Sequence, residues 1–245
     1  MILDIDAGNS RLKWLLHCGD IGVPVARGAV PNDEVRSWLE SDHLQQVDRV
    51  RLVSVAAATA EEVCHWGRSR QVELQVAKVV DGAEGVVCGY SEPERLGVDR
   101  WLALLAARRR CRSDCLVVDA GTAITVDVLS AGGQHAGGYI APGLGLMAES
   151  LVGNTSGIRC VLPADLNLAP GVNTAQAVGH GCLAALVGMV AGIANSHRVA
   201  KLVLTGGDAD LLAAHLAAWL REAEAELEIV DNLVLEGLDI ALAQG

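Results

Sequence analysis

The chain has 245 residues, 51% of them hydrophobic, which is enough to bury a sizeable core in one or two domains. Its formal net charge of −11 argues against binding a nucleic-acid backbone, because such binders present a basic surface. No apolar run reaches the roughly 18–20 residues of a membrane span, and the N-terminus has no basic region. We therefore expect neither a membrane anchor nor a signal peptide.

Seven cysteines occur without paired spacing, which is typical of a reducing compartment, and we expect a cytoplasmic protein. Cys111 and Cys115 have the spacing of half a metal site, but no second pair or nearby histidine completes it. Buried free thiols are the simpler interpretation.

The first half of the chain begins with an apolar strand that ends in Asp6-Ala7-Gly8. The pattern predicts two more strands, over residues 12–16 and 23–30, with a turn around Gly19 between them. Beyond this meander, helices are predicted over residues 33–39, 60–68 and 95–109, and strands over residues 49–55 and 72–79.

The second half repeats this order. Residues 116–123 read Leu-Val-Val-Asp-Ala-Gly-Thr-Ala, so Asp119 aligns with Asp6 and Gly121 with Gly8. Two unrelated strand–turn units are the alternative, because eight similar residues can arise by chance, but the order of the later elements also matches. Those elements are strands over residues 124–129, 135–140, 201–205 and 226–230, and helices over residues 175–193 and 209–222.

The repeat predicts two α/β domains, residues 1–113 and 114–245. Ligands of such sheets lie beyond the strand ends. We therefore expect both Asp-Ala-Gly turns to face one cleft.

The first turn has groups suited to phosphate binding. Gly8 allows backbone N–H groups to approach a phosphate, and Asn9 and Ser10 add side-chain donors. Asp6 can hold Mg²⁺ directly or through water, and Lys13 can reach a phosphate as a point charge. A tight hairpin turn with an Asx residue is the alternative.

Three later motifs have similarly open interpretations. Gly97-Val98-Asp99-Arg100 begins a strongly apolar helix, where Asp99 either complements the helix dipole or acts as a catalytic base. Arg100 could pair with an anionic substrate group. Gly137–Gly143 is predicted as a rigid close-approach loop, and Thr205–Asp208 as a turn on which an adenine or ribose could lie; plain turns explain both equally.

Taken together, these motifs resemble a known family. Two Asp-x-Gly-(Asn/Thr) turns in duplicated halves resemble the superfamily of acetate and sugar kinases, Hsp70 and actin. Within it, the order of four motifs resembles type III pantothenate kinase. These are the first turn, Gly-x-Asp-Arg-Trp, Asp-x-Gly-Thr-Ala-x-Thr and Gly-Gly-Tyr-Ile-x-Pro-Gly. The resemblance covers nearly the whole chain. It implies duplicated actin-like (ribonuclease H-like) domains, each a mixed five-stranded sheet with helices, and an active site in the interdomain cleft.

The resemblance also implies a reaction: ATP-dependent phosphorylation of pantothenate to 4'-phosphopantothenate, the first step of coenzyme A biosynthesis. Asp99 would be the general base, Asp119 would bind a monovalent cation (K⁺ or NH₄⁺), and Thr122 would contact ATP. The resemblance further implies a homodimer with pantothenate near the subunit interface. The residues implied to bind ATP phosphates and Mg²⁺ are Asp6, Ala7, Gly8, Asn9, Ser10, Arg11, Leu12 and Lys13. Those implied to hold pantothenate are Tyr90, Gly97, Val98, Asp99, Arg100 and Thr174.

Two other functions fit the same fold. A non-catalytic nucleotide-binding regulator, similar to Bvg accessory factors, would bind ATP without turnover. A phosphatase or polyphosphatase would direct a carboxylate at water instead of an alcohol.

Overall fold

The computed structural model describes residues 1–18 and 24–242, and within them the chain forms ten strands and seven α-helices. The strands are β1 (Ile2–Ala7), β2 (Arg11–His17), β3 (Pro24–Pro31), β4 (Arg49–Ser54), β5 (Glu73–Val76), β6 (Cys115–Ala120), β7 (Ala123–Leu129), β8 (His135–Pro142), β9 (Lys201–Thr205) and β10 (Glu226–Ile229). The helices are α1 (Val35–Leu39), α2 (Ala57–Ser69), α3 (Val98–Arg110), α4 (Leu144–Asn154), α5 (Thr174–His197), α6 (Ala209–Ala223) and α7 (Leu233–Leu242). The predicted turn around Gly19 and the predicted start of the third strand lie outside the described residues.

The two sheets have the same topology, which confirms the predicted duplication. Each has five strands, in the orders β3-β2-β1-β4-β5 and β8-β7-β6-β9-β10. In each sheet the central strand pairs antiparallel with the next strand and parallel with the fourth. The fold is therefore the duplicated, mixed five-stranded arrangement that the resemblance implied.

By contacts, the chain divides into two compact units, one of residues 1–110 with the segment from residue 232 onward, and one of residues 111–231. The predicted boundary near residue 113 placed that C-terminal segment in the second half. It belongs instead with the first unit because α7 packs on α3, where Gly237 lies directly against the Leu102 carbonyl. A division into two domains in the functional sense stays a prediction.

In the first unit, the two faces of the sheet differ in chemistry. Leu3, Ile5 and Ala7 of β1 face one apolar core, which α1 and α2 cover. The opposite face carries the buried Asp4 and Asp6. The period-2 alternation of a strand explains how β1 supplies both faces.

Asp4 is bound by a buried guanidinium. Arg51, its partner in β4, donates from Nε and Nη2 to the two carboxylate oxygens, each at 2.6 Å. His17 lies 3.0 Å from the same carboxylate, and Asp239 of α7 accepts from Arg51 Nη1 at 2.7 Å. Burial opposes charge on Arg51, but the hydrogen bonds to Asp4 and Asp239 outweigh it and raise the pKa of Arg51.

In the second unit, the apolar core lies on one face of the sheet. Leu116, Val118 and Ala120 of β6 face helices α4, α5 and α6, which supply most of the remaining core side chains. The core is aliphatic, as the absence of Phe from the sequence and its few aromatic residues require. The face that carries Asp119 is thus separate from this core.

Two helices, α4 and α7, were not predicted. Six of the ten residues of α7 are buried, so the polar and apolar alternation of a surface helix is weak there. Helix α4 contains Gly145 and Gly153, which weaken the helical pattern. The predicted loop over residues 137–143 is also different in the structure, since β8 continues to Pro142 and only Gly143 lies beyond it.

Among the described residues, one helix, α5, is long and apolar enough to cross a membrane by length and composition. Half of its apolar window is buried inside the structure, and it packs against α4 and α6. The core helix of a globular unit meets the same criterion, so this is weak evidence for a membrane span.

Replacement of Gly237 by alanine should destabilise the protein, because the added Cβ would lie 1.9 Å from the Leu102 carbonyl oxygen. We expect a loss of about 1–3 kcal/mol in the free energy of unfolding, measured by urea denaturation. The matched control is Gly192→Ala in α5, where an added Cβ meets no atom within 4 Å. This control should be neutral or stabilising by about 0.5–1 kcal/mol. Equal effects of the two changes would contradict the close packing of α3 and α7.

Candidate functional site

The first glycine turn connects the central strand of its sheet to the next strand. Asp6 pairs with Lys13 across the β1–β2 ladder, and Ala7 pairs with Leu12. The Gly8 amide donates to the Arg11 carbonyl at 3.1 Å and closes a turn of three residues, Gly8 to Ser10. The side chains of Asn9 and Ser10 are exposed in this turn.

Asn32, a residue outside the predicted site, holds this turn in place. Its side-chain amide donates to the carbonyls of Gly8 at 3.0 Å and Asn9 at 2.9 Å. Its backbone amide donates to the Ser10 carbonyl at 3.4 Å. Both side-chain donors of Asn32 are therefore used to hold carbonyls of the turn in position. Only the return of β3 to the start of β2 could have indicated this role.

The second glycine turn is one residue shorter than the first. Asp119 pairs with Thr125 and Ala120 with Ile124, and the Gly121 amide donates to the Ala123 carbonyl at 3.1 Å. Thr122 is exposed at the tip of the turn. The two turns therefore match from the aspartate to the glycine, and they differ in the residues after the glycine.

Two other glycines lie against this second turn. The Gly143 amide donates to the Thr122 carbonyl at 2.9 Å, and a Cβ on Gly143 would lie 2.1 Å from the Gly121 carbonyl oxygen. A Cβ on Gly206 would lie 2.5 Å from both the Ala120 carbonyl oxygen and Asp119 Oδ1. Gly206 also has φ of +97°, a conformation that favours glycine. The motifs over residues 137–143 and 205–208, for which plain turns were the alternative, therefore pack around the turn that follows Asp119.

Asp208 lies two residues after Gly206, at the start of α6. Its backbone amide donates to the Ala120 carbonyl at 3.0 Å. Burial raises the pKa of Asp208, because desolvation disfavours the charged carboxylate. The loop from Thr205 to Asp208 is thus held by a backbone hydrogen bond next to the turn that carries Asp119.

A third group of predicted residues lies at the start of α3. Asp99 is in the first turn of the helix, and its Oδ1 accepts from the Arg100 amide at 2.8 Å. A Cβ on Gly97 would lie 2.6 Å from the same oxygen, so the carboxylate folds back over Gly97. Val98 is the first residue of the helix. The absence of a side chain at position 97 is what allows this rotamer of Asp99.

Arg100 is buried, and its guanidinium contacts Tyr90. Nη1 donates to the Tyr90 hydroxyl at 2.9 Å, and the guanidinium carbon lies 5.7 Å from the ring centroid. A buried cation is costly unless it is paired or hydrogen-bonded. The structure therefore brings together Tyr90, Gly97, Asp99 and Arg100, all of which the resemblance assigned to one substrate.

Thr174 begins α5 and lies in a different setting. The Asn173 side chain caps the helix by accepting from the Gln176 amide at 3.0 Å. Thr174 is exposed and lines a groove of about 750 Å³ between α4 and α5, together with Met147, Leu151 and Val172. The groove is mostly apolar, so the Thr174 hydroxyl at its side would orient a ligand more than bind it.

Oxygen donors suited to hard cations occur at both glycine turns. Asp6 is the next-to-last residue of β1, with 8% of its surface exposed, and Asp4 on the same face is bound to Arg51. Asp4 is therefore a poor metal residue, because both of its carboxylate oxygens accept hydrogen bonds from Arg51. Among residues 1–18 and 24–242, no group of three or more His, Cys, Asp or Glu could hold a metal ion. Such a set is not required for Mg²⁺, which usually keeps several waters and binds one or two carboxylates with substrate phosphates.

The contacts of Asn32 predict that Asn32→Ala destabilises the first glycine turn. Two side-chain hydrogen bonds are lost, so the free energy of unfolding should fall by about 1–2 kcal/mol, and amide exchange at residues 8–10 should become faster. Asn32→Asp should be worse, since it places a carboxylate against two carbonyls. The control is the exposed neighbour Asp33, replaced by alanine; if it has the same effect on amide exchange, the bracing role of Asn32 is wrong.

The chain matches a protein family and near full-length relatives. A family profile described as type III pantothenate kinase matches residues 2–196. A type III pantothenate kinase from Ectopseudomonas mendocina is 40% identical, with 98% of each chain covered. One from Chromohalobacter salexigens is 41% identical, covering 93% of this chain and 86% of the other.

Among solved structures, a candidate Baf family transcriptional activator from Campylobacter jejuni superposes with a TM-score of 0.66 at 20% identity, covering 99% and 98% of the chains. A candidate 2-dehydro-3-deoxygalactonokinase from Sinorhizobium meliloti superposes with a TM-score of 0.58 at 14% identity, covering 99% and 98%. These likenesses show the fold alone. The near full-length relatives and the family profile show that the chain belongs to the type III pantothenate kinase family.

Proposed function

We propose that this protein transfers the γ-phosphoryl group of ATP to the hydroxyl of pantothenate, giving 4'-phosphopantothenate for coenzyme A biosynthesis. Family membership over the full chain defines the reaction class. The observation that carries the assignment to this chain is the Asp99 carboxylate held over Gly97, beside an Arg100 fixed on Tyr90. The Asp99 carboxylate thus offers a proton acceptor, and Arg100 a cation, to the same substrate.

Asp99 is the proposed general base. A phosphoryl acceptor needs a carboxylate within hydrogen-bond reach of its hydroxyl, so that the proton leaves as the new P–O bond forms. Arg100 is held by Tyr90 and presents its charge to the carboxylate of pantothenate. Gly97 and Val98 position both side chains at the start of α3.

The nucleotide is assigned to the two glycine turns. The first turn would bind ATP phosphates through its N–H groups and through the side chains of Asn9, Ser10 and Lys13. Thr122 at the tip of the second turn would contact the same nucleotide. The full proposed set in the first turn is Asp6, Ala7, Gly8, Asn9, Ser10, Arg11, Leu12 and Lys13.

The two carboxylates are assigned to cations. Asp6 would hold Mg²⁺, directly or through water, and Asp119 would hold K⁺ or NH₄⁺. When bound, these ions neutralise charge on the phosphates during transfer. Gly206 keeps the Asp119 carboxylate in its place, because a side chain at that position would displace it.

We further propose that the protein is a homodimer and acts in the cytoplasm, where its ATP is found. The groove between α4 and α5 is apolar, and Val172 at its side is 90% exposed. Exposed apolar patches of this kind mark interaction sites in soluble proteins. A second copy on this groove would cover Val172 and bring the interface next to Thr174, the last residue assigned to pantothenate.

Asp99→Asn should lower kcat by about 10²–10⁴ while the protein stays folded, because the amide cannot accept the proton. Steady-state phosphorylation of pantothenate with ATP, Mg²⁺ and K⁺ measures this, with circular dichroism as the folding check. An unchanged kcat would remove Asp99 as the base. Gly97→Ala is the companion change: it displaces the carboxylate without removing it, so we expect a smaller fall in kcat.

Val172→Asp should convert the dimer to a monomer and raise KM for pantothenate, because a buried unpaired charge at an interface is costly. Light scattering coupled to size exclusion measures the mass. Val80→Asp is the control, since Val80 is also exposed, at 58%, but lies in the other unit. A wild-type protein that is already monomeric at micromolar concentration would contradict the homodimer.

A further inference from the structure

A second cavity lies on the polar face of the first sheet. Its volume of about 560 Å³ is within the range of small-molecule sites. Strand residues such as Asp4 and Arg51 line one side of it, and residues of α3 and α7 line the other. All of the described lining residues belong to the first unit, and none of them is assigned to ATP or pantothenate. Its lining is therefore distinct from that of the candidate active site.

A row of paired residues crosses the sheet at this cavity. Arg27 of β3 pairs with Leu15 of β2, Leu15 pairs with Asp4, and Asp4 pairs with Arg51. Side chains of directly paired residues lie on the same face of a sheet, and all four of these line the cavity. The row thus has an arginine at each end. It lies two residues, or roughly 7 Å, from Asp6 along β1, towards the start of that strand.

Arginines outnumber carboxylates in the lining of this cavity. The arginines are Arg27, Arg51, Arg109 and Arg110, and the carboxylates are Asp4, Glu236 and Asp239. Arg51 donates to both Asp4 and Asp239. Arg110 donates to the two carboxylate oxygens of Glu236, from Nε at 2.8 Å and from Nη2 at 2.7 Å. Two of the arginines thus occupy all three carboxylates. A locally positive cavity in a chain of net charge −11 favours an anionic ligand.

Arg109 has donors to offer to such an anion. Among residues 1–18 and 24–242 it makes one ion pair, from Nε to Glu84 Oε2 at 3.3 Å, and its side chain is 48% exposed. Its two terminal nitrogens form no hydrogen bond within that part of the chain. A planar guanidinium can donate to two oxygens of a carboxylate or phosphate at once. The neighbouring pair of Arg110 and Glu236 is partly exposed, so a competing anion can displace it at small cost.

The rest of the cavity lining is mostly apolar. Leu15 contributes from the sheet, Ala106 from α3, and Leu235 and Ile240 from α7. An inorganic anion would leave these side chains without contacts, whereas an anion with an apolar body would cover them. The combination of arginines and aliphatic side chains is therefore suited to an organic anion.

We propose that this cavity is a second ligand site, which binds a small organic oxyanion. The phosphate or carboxylate group of the ligand pairs with Arg109 and Arg27, and its apolar body lies against Leu15 and Leu235. Arg51 keeps its hydrogen bonds to the carboxylates that already hold it, and it forms the floor of the site. Binding involves no covalent step.

The first experiment titrates the full chain with phenyl phosphate and with benzoate, each of which joins an oxyanion to an apolar ring. Calorimetry gives Kd, and the Tm should rise by about 2–4 °C at ten times Kd. The tighter of the two probes identifies the head group as phosphate or carboxylate. Inorganic phosphate lacks the ring and should bind roughly tenfold more weakly. Equal affinities for inorganic phosphate and the tighter aromatic probe, or no binding of either aromatic probe up to about 10 mM, would overturn the proposal.

The second experiment tests the role of Arg109. Arg109→Ala should weaken the affinity for the tighter probe by about tenfold or more, because charge-assisted hydrogen bonds are lost. Glu84→Gln is the matched control: it removes the ion-pair partner of Arg109 and keeps the guanidinium, so the affinity should not fall. Circular dichroism checks that both variants are folded. A folded Arg109→Ala with the wild-type affinity would contradict the proposal.

The third experiment separates this cavity from the proposed ATP turn. Lys13 pairs with Asp6 and does not line the cavity, so Lys13→Ala should bind the probe as the wild-type protein does. Amide exchange with the probe bound should slow at residues 24–27 and 232–240 and stay unchanged at residues 8–10. Loss of affinity in Lys13→Ala, with protection confined to residues 8–10, would place the probe at the ATP turn and overturn the proposal.

Discussion

Close contacts at glycines, where no side chain would fit, are the constraint on which the candidate site depends. In the second unit this is most severe, since Gly143 and Gly206 lie so close to the turn that no side chain fits at either position. Gly206 lies against the Asp119 carboxylate, so the absence of a side chain at position 206 is what leaves room for it. A rigid scaffold of this kind is what an enzyme of phosphoryl transfer needs, because its catalysis is mostly positioning and electrostatics.

A glycine also leaves room for a carboxylate at the start of α3. Gly97 provides space for the Asp99 carboxylate, and the buried Arg100 takes its orientation from the Tyr90 hydroxyl. A carboxylate in the first turn of a helix is ordinary. A carboxylate that is folded over a glycine, next to a fixed guanidinium, is a less ordinary arrangement. This contrast supports a catalytic role for Asp99 over simple complementation of the helix dipole, which the residues alone had left open.

Much of the fold could be predicted from the sequence. The Asp-Ala-Gly repeat and the order of strands and helices indicated two sheets of the same topology, and the structure has them. Helix α7 was missed because it is short and buried on most sides, and its packing on α3 places the C-terminal segment with the first unit. Asn32 was missed for a different reason. Its role arises only when β3 returns beside the first turn, a contact across 23 and 24 residues that no local pattern encodes.

The central claim is that this protein couples ATP cleavage to phosphorylation of an alcohol, and its product is the most direct test. Phosphorus NMR of the wild-type protein with ATP, Mg²⁺, K⁺ and pantothenate should show ADP and a new phosphomonoester in equal amounts. Without pantothenate, neither should form at a comparable rate. ADP with inorganic phosphate and no phosphomonoester would indicate a hydrolase, and bound ATP that stays intact would indicate a regulator; either result would contradict the account.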